Sequence, residues 1–277
     1  MTECGLTNLA TCLPEMFFEF VVEMLNSPIE PLLEIVQTLM TEPVNIDIFS
    51  PLWAVMLSVI SIFYALFFMF AGFNLMISGY DSSKRDNAKT WLRNVILMIL
   101  FVQASFFLYD LIIEFASLLT SGMMNIIDPD FFLLTVDDLA NIWLYLVLLI
   151  PYITVLSLAA IFLAFRYVLV SVGVVFFPLA IFLYFIPPLA AYGKMILNVL
   201  MVIIFITFFD AVILFGASAM LSVAVFSTTK ILLVTVAFLS ISLLMGFLII
   251  FAILKAALSV LNTDIGRSVK KAVKYVV

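Results

Sequence analysis

The chain has 277 residues, of which 66% are hydrophobic and only 11% charged, with a mean hydropathy of +1.32 and a formal net charge of −6. A soluble domain is about half apolar and roughly a quarter charged, so this composition excludes a water-soluble globular class. The absence of histidine excludes zincin helices, histidine-based triads and histidine metal sites.

The fold class read from the sequence is all-α: a polytopic helical membrane protein. Several Leu/Ile/Phe/Val runs exceed the ~20 apolar residues that cross hydrocarbon, and a barrel would show short alternating segments instead. Three regions are expected: an extracytoplasmic amphipathic region over 1–48, a transmembrane bundle over 49–262 and a basic tail over 263–277.

The N-terminus, MTECGLTNLATCLPE, is acidic. It lacks the basic n-region of a removable signal peptide, and none is expected. Cys4 and Cys12 lie close together there. They form a disulfide if that tail is outside the cell, or remain two free thiols. From Pro14 to Thr41 the pattern is amphipathic. Glu15, Glu19 and Glu23 line one helical stripe, while Phe17, Phe18, Val21, Val22 and Leu25 cover the other. Pro28 and Pro31 interrupt it, and a second short helix is expected from Leu32 to Met40 with Glu30 and Glu34 outward. A central acidic residue costs roughly 2.5–3.5 kcal/mol on insertion scales, so this helix pair lies on the outer face rather than across the bilayer. It is either an interfacial pair or a docking surface for neighbouring subunits.

A first span is predicted from Pro51 to Ser78. No lysine or arginine precedes Lys84, and then Lys84, Arg85, Lys89 and Arg93 arrive together. Lys84 and Arg85 fall in the first turn of the next helix, where cations oppose the helix dipole by about 0.3–1 kcal/mol each. Retention on the cytoplasmic side explains them better than helix stability does. A second span is predicted from Trp91 to Leu119, with Gln103, Asp110 and Glu114 on one face. An acidic loop follows with Asp128, Asp130, Asp137 and Asp138. Its Phe131-Phe132-Leu133-Leu134 run is expected to dip into the interface or touch a partner.

A third span is predicted from Asn141 to Phe165, kinked at Pro151 and stopped by Arg166. The stretch Tyr167 to Pro188 is broken by Gly173 and Pro178 and is either re-entrant or a sixth span. Further spans are predicted from Met195 to Ala219 and from Ile231 to Leu254. The positive-inside rule favours five full spans plus one re-entrant segment, with N-terminus outside and C-terminus inside.

The intramembrane polar candidates are Gln103, Asp110, Asn198 and Asp210. They are either hydrogen-bonded within the bundle or held in headgroups, or they line a translocation path. The tail residues Arg267, Lys270, Lys271 and Lys274 are either an anchor to anionic lipid or a contact for nucleic acid or a cytoplasmic partner. No phosphate-binding G-x-x-x-x-G-K-[ST] loop occurs, and Cys4 and Cys12 have no companion ligands. No catalytic site, cofactor or metal is expected, and the chain reads as a non-enzyme.

The segment Gly72-Phe73 … Ser78-Gly79 … Asp81 … Lys84-Arg85 … Ala88-Lys89 … Leu92 … Asn94 resembles membrane subunits of type IV secretion systems. The whole chain is similar to the TrbL-type polytopic inner-membrane channel subunits of conjugation-like DNA-transfer machines, in an archaeal-like form. The stretch from Arg166-Tyr167 through Phe176-Phe177-Pro178 to Tyr184-Phe185-Ile186-Pro187-Pro188 and the basic C-terminus add to the likeness. The resemblance implies a homo-oligomeric channel or platform in the cell membrane. It also implies a cytoplasmic ATPase and pilin-like subunits as partners, and DNA as the transported substrate. The residues leave two other readings open, a stand-alone secondary transporter or ion channel and a membrane scaffold without a conduit.

The expected orientation has a direct check. In intact cells, a Ser227→Cys variant reacts with a membrane-impermeant maleimide and a Ser83→Cys variant does not. Labelling of Ser83→Cys from outside would reverse the assignment.

Overall fold

A computed structural model describes residues 9–77, 82–134, 142–223 and 229–262. Among the described residues eight α-helices follow one another: α1 (Leu9–Asn26), α2 (Ile29–Thr41), α3 (Ser50–Ile77), α4 (Ser82–Gln103), α5 (Ser105–Met124), α6 (Ile142–Phe185), α7 (Ala190–Met220) and α8 (Lys230–Asn262). One-turn 3-10 helices lie at Asp47–Phe49, Pro129–Phe131 and Pro187–Leu189, and no strand occurs among the described residues. Among the described residues five segments are long and apolar enough to cross a membrane: Asp47–Ile77, Ser105–Met124, Val147–Phe185, Pro187–Met220 and Lys230–Phe251.

The helices group into two compact units. The first comprises Met1–Glu42, Ser117–Phe165 and Ile206–Gly246. Here α1 and α2 separate at Pro28, as the proline spacing predicts, and Pro31 is accommodated in the first turn of α2. Ile29, Leu33, Val36 and Met40 are buried at helical spacing, while Glu30 and Glu34 stay exposed. The Asn26 side chain locks the segment after α5. Its Nδ2 donates to the Leu134 carbonyl and its Oδ1 accepts from the Leu134 N–H, both at 3.0 Å. The Tyr152 hydroxyl donates to the Phe132 carbonyl at 3.0 Å, and the Ser117 hydroxyl donates to the Thr41 carbonyl. Phe131, Phe132 and Leu134 are consequently buried. This corrects the expectation that the run Phe131–Leu134 turns outward. Its apolar side chains find Tyr152 and Phe238 inside their own unit, with Phe132 and Phe238 rings 6.1 Å apart.

The second unit comprises Pro43–Ala116, Arg166–Phe205 and Phe247–Val277. Its core joins Ile60 of α3, Val95, Met98 and Val102 of α4, Tyr109 and Ile113 of α5, Val170, Val174, Phe177, Ile181 and Phe182 of α6, Ile186 just after it, and Leu200, Ile203 and Ile204 of α7. Trp53 ties α3 to α5 by donating its indole N–H to the Ser105 hydroxyl at 2.9 Å. The α4–α5 junction is one residue wide. Ala104 N–H still reaches the Leu100 carbonyl and Leu108 N–H the Ala104 carbonyl, both at 3.0 Å. Ser105–Met124 is the segment there long and apolar enough to cross a membrane, and it overlaps the expected Trp91–Leu119.

The largest departure from the sequence reading is α6. Arg166 does not end a span, and Gly173 and Pro178 do not break one, because Ile142–Phe185 is one helix of 44 residues. The re-entrant segment expected over Tyr167–Pro188 is therefore the second half of this helix. Gly173 is a packing position. A Cβ there would meet the Tyr109 hydroxyl and come within 2.7 Å of Leu200 Cδ2. The missing side chain lets Tyr109 lie across α6 and donate to the Val170 carbonyl at 2.7 Å. Gly193 acts likewise in α7. A Cβ on it would lie 2.6 Å from the Ala180 carbonyl oxygen and also collide with the Tyr184 backbone N. The α6–α7 turn is tight because two backbones touch at this glycine.

Backbone atoms cannot swing aside as side chains do, so Gly193→Ala should lower stability by about 1–3 kcal/mol or more. Gly216→Ala, where a Cβ has nothing within 4 Å, should be neutral or stabilising by up to about 1 kcal/mol. Thermal unfolding of the two variants in the same detergent separates these outcomes.

Candidate functional site

In an apolar bundle the informative side chains are the polar ones held at membrane depth, since such groups usually face a bundle interior or a cavity. Most serines and threonines here fold back on their own helix. Thr154 donates to the Ile150 carbonyl, Ser171 to Tyr167, Thr235 to Ile231 and Ser242 to Phe238. Hydroxyls used in this way are already satisfied and supply no wet surface.

Of the four intramembrane candidates, Gln103 is exposed at the end of α4, where it faces the Tyr64 hydroxyl. Asp110 is half-buried on α5 and Asn198 is exposed on α7. Asp210 alone is fully buried, at 0% exposure, in the middle of α7. Gln103, Asp110 and Asn198 belong to the second unit and Asp210 to the first, so the four do not form one cluster within either unit. In the first unit, the Thr207 and Thr120 hydroxyls lie 3.4 Å apart, both buried.

The residue that sequence reasoning misplaced is Arg166. It was expected to stop a span at the membrane surface. Instead it is the twenty-fifth of the 44 residues of α6 and only 4% exposed. Its Nε donates to the Ile203 carbonyl at 3.1 Å and its Nη2 to the Ile204 carbonyl at 2.8 Å. A forked, planar guanidinium can bind two successive carbonyls at once, which a lysine ammonium cannot. The signal was present in the sequence: a lone cation with no loop residues around it, between Leu163-Ala164-Phe165 and Tyr167-Val168-Leu169.

Among the loop cations, Arg85, Lys89 and Arg93 are exposed on α4, and Lys84 falls in its first turn with a side chain outside the described residues. The tail residues Arg267, Lys270, Lys271 and Lys274 also lie outside the described residues, as do Cys4 and the Cys12 side chain, so the disulfide expectation falls there too. Among the described residues no three His, Cys, Asp or Glu side chains gather as a metal site would require. A half-polar cavity of about 320 Å³ in the first unit is lined by Gln37, Thr41, Met124, Asn125, Ile127, Pro129 and Phe132.

These features define a class: a multi-pass helical membrane protein with five candidate spans and buried charged side chains at Arg166 and Asp210. Compared with family models, characterised proteins and solved structures, the chain matches none.

Arg166→Met removes both donors to α7, and hydrogen bonds to charged groups are worth roughly 1.5–3 kcal/mol. Arg166→Lys should recover only part of that loss. Reversible unfolding in mixed micelles measures both, and equal stability of wild type and Arg166→Met would remove the anchoring role.

Proposed function

We propose that this chain is a channel or platform subunit of a type IV secretion-like apparatus that transfers DNA. In this reading it is a non-catalytic homo-oligomer of the cell membrane, working beside a cytoplasmic ATPase and pilin-like membrane subunits. The observation that carries the reading is the segment from Gly72 to Asn94. It combines a glycine-containing apolar helix end, an Asp/Lys-Arg/Ala-Lys loop and the start of a second helix. Two structural features support it. Five candidate spans among the described residues are an odd number, which is consistent with chain ends on opposite sides. With the cationic loop inside, the N-terminus is outside and the C-terminus inside. The exposed cations Arg85, Lys89 and Arg93 then face the cytoplasm, where contact with a polyanion or an ATPase is electrostatically favoured.

A stand-alone transporter is the second reading. It is favoured by Asp210, since a fully buried carboxylate on a membrane helix is a common feature of ion pathways. A scaffold without a conduit needs neither feature.

Affinity purification from cross-linked native membranes tests the first reading. Recovery of an oligomer together with a secretion-type ATPase and a pilin-like subunit is expected, and recovery of a monomer with neither would overturn it. Solute uptake by liposomes containing this chain alone, abolished by Asp210→Asn, would establish the transporter instead. No uptake and no ATPase would leave the scaffold.

A further inference from the structure

Three cations form one outward stripe in the second unit. Arg85, Lys89 and Arg93 of α4 recur every four residues, and all are exposed. At about 100° per residue they fall within an arc of about 80°. The opposite side of α4 is the buried one, with Ala88, Val95, Met98 and Val102. Asp86, the exposed acid beside the stripe, forms no ion pair with the three among the described residues.

Beyond Arg93 the same outward side turns apolar within one turn. Ile96, Leu100, Phe107, Leu111 and Phe115 of α4 and α5 are 50–68% exposed. The helical bonding runs on through Ala104, so Ile96 to Phe115 covers about 29 Å, against ~30 Å of hydrocarbon. In that stretch the exposed polar residues are Gln103 midway and Glu114 at the far end. Trp91 marks the level of the cations. Its ring turns to the other side of α4, where it meets Phe67 and Phe70 of α3, and tryptophan is enriched where hydrocarbon meets headgroups.

The dimensions agree with a lipid headgroup layer. The stripe is about 12 Å long, and a headgroup layer is roughly 5–8 Å deep on each side. The long stems of arginine and lysine snorkel across the difference. A surface that passes from cationic to apolar in one turn matches one amphiphile, with an anionic head and an acyl tail. A nucleic acid would use the cations alone and leave the adjoining apolar belt uncovered.

We propose that Arg85, Lys89 and Arg93 bind the phosphates of anionic phospholipids whose acyl chains lie along Ile96 and Leu100. Basic clusters beside membrane helices recruit anionic headgroups in this way. The bound lipid is a resident ligand that any polyanionic partner would have to displace. The site is independent of the secretion reading and requires only that the bundle lie in a bilayer.

A local probe tests it in proteoliposomes of the whole chain carrying Cys4→Ser and Cys12→Ser. Bimane on Ile96→Cys reports lipid at the foot of the stripe through quenching by brominated acyl chains. Brominated phosphatidylglycerol should be preferred over brominated phosphatidylcholine by about fivefold or more. Bimane on Leu111→Cys, about 22 Å further along, should show no preference. Lys89→Gln should lower the preference at Ile96→Cys by about fivefold, and Arg85→Gln/Lys89→Gln/Arg93→Gln should abolish it. Arg85→Lys/Arg93→Lys, which keeps the charges, should retain it. Equal quenching by the two lipids at Ile96→Cys overturns the proposal, as does the same preference at Leu111→Cys. So does a preference that survives the triple glutamine variant or is lost in the lysine one. Equal quenching together with binding of a labelled oligonucleotide that the triple variant loses would assign the stripe to nucleic acid instead.

Discussion

Backbone hydrogen bonds in a chain this apolar have no water to fall back on, and each unsatisfied group at membrane depth costs several kcal/mol. That constraint shapes the whole molecule. The helices run on through positions that end helices in soluble proteins: Pro151, Gly173 and Pro178 all lie inside α6. Where a helix does end, something else takes up its backbone groups. Asn26 binds both backbone groups of Leu134, Tyr152 takes the Phe132 carbonyl, and Asp128 accepts from the Asp130 N–H at 3.0 Å. The few side chains that bond from one helix to another end mostly on backbone: Tyr109 on Val170, Arg166 on Ile203 and Ile204. Polar side chains here act as fasteners for backbone rather than as a wet lining.

The same constraint bears on the length of α6. At about 1.5 Å per residue, 44 residues extend roughly 66 Å, against ~30 Å of hydrocarbon and ~40–45 Å with headgroups. Even a tilt of about 40° leaves some of this helix beyond the bilayer. An apolar helix outside lipid must be covered by protein, and half of its membrane-length window is buried. In the first unit, cover over its early turns comes from the segment after α5, where the Tyr152 hydroxyl meets Phe132. Burial of Phe131 and Phe132 follows from that duty. Arg166 fits the same picture. A cation that would be costly at mid-helix is held with 4% exposure because α7 offers it two carbonyls.

Much of this was legible in the sequence. Helix class, the Pro28 division between α1 and α2, the outward Glu30 and Glu34 and the start of α3 near Pro51 follow from periodicity and proline chemistry, which are local. The course of α6 was not legible. Arg166, Gly173 and Pro178 are all local break signals, and what overrides the first two is a partner distant in sequence. For Arg166 it is the Ile203–Ile204 backbone, and for Gly173 it is the ring of Tyr109. The run Phe131–Leu134 was misread for a related reason. Apolar residues in an acidic loop signal either an interface or a buried plug, and only Tyr152, Phe238 and Asn26 decide which. Of the polar candidates, Asp210 stood out by its depth in an apolar run. Gln103, at the end of α4, and Asn198, three residues into its predicted span, are both exposed, and exposure depends on packing.

How the spans meet their surroundings also follows from residue size. Only 11% of the apolar window of α3 is buried, against 50% for α6, so α3 is the helix most open to whatever surrounds the bundle. Between helices in lipid there is no hydrophobic driving force, and association relies on small residues that let backbones approach or on polar groups that bond across. The outward surface of α3 carries one such stripe: Ala54, Ser58, Ser61 and Ala65 are exposed at spacings of four, three and four residues. Beside it, Ile62, Leu66, Met69, Phe73 and Met76 are 62–82% exposed and bulky, a stripe suited to acyl chains. The close approaches inside the molecule, at Gly173 and Gly193, show that helix contact requires small residues where backbones meet. α3 thus presents two adjoining outward stripes, a bulky one suited to acyl chains and a small-residue one narrow enough for close helix approach.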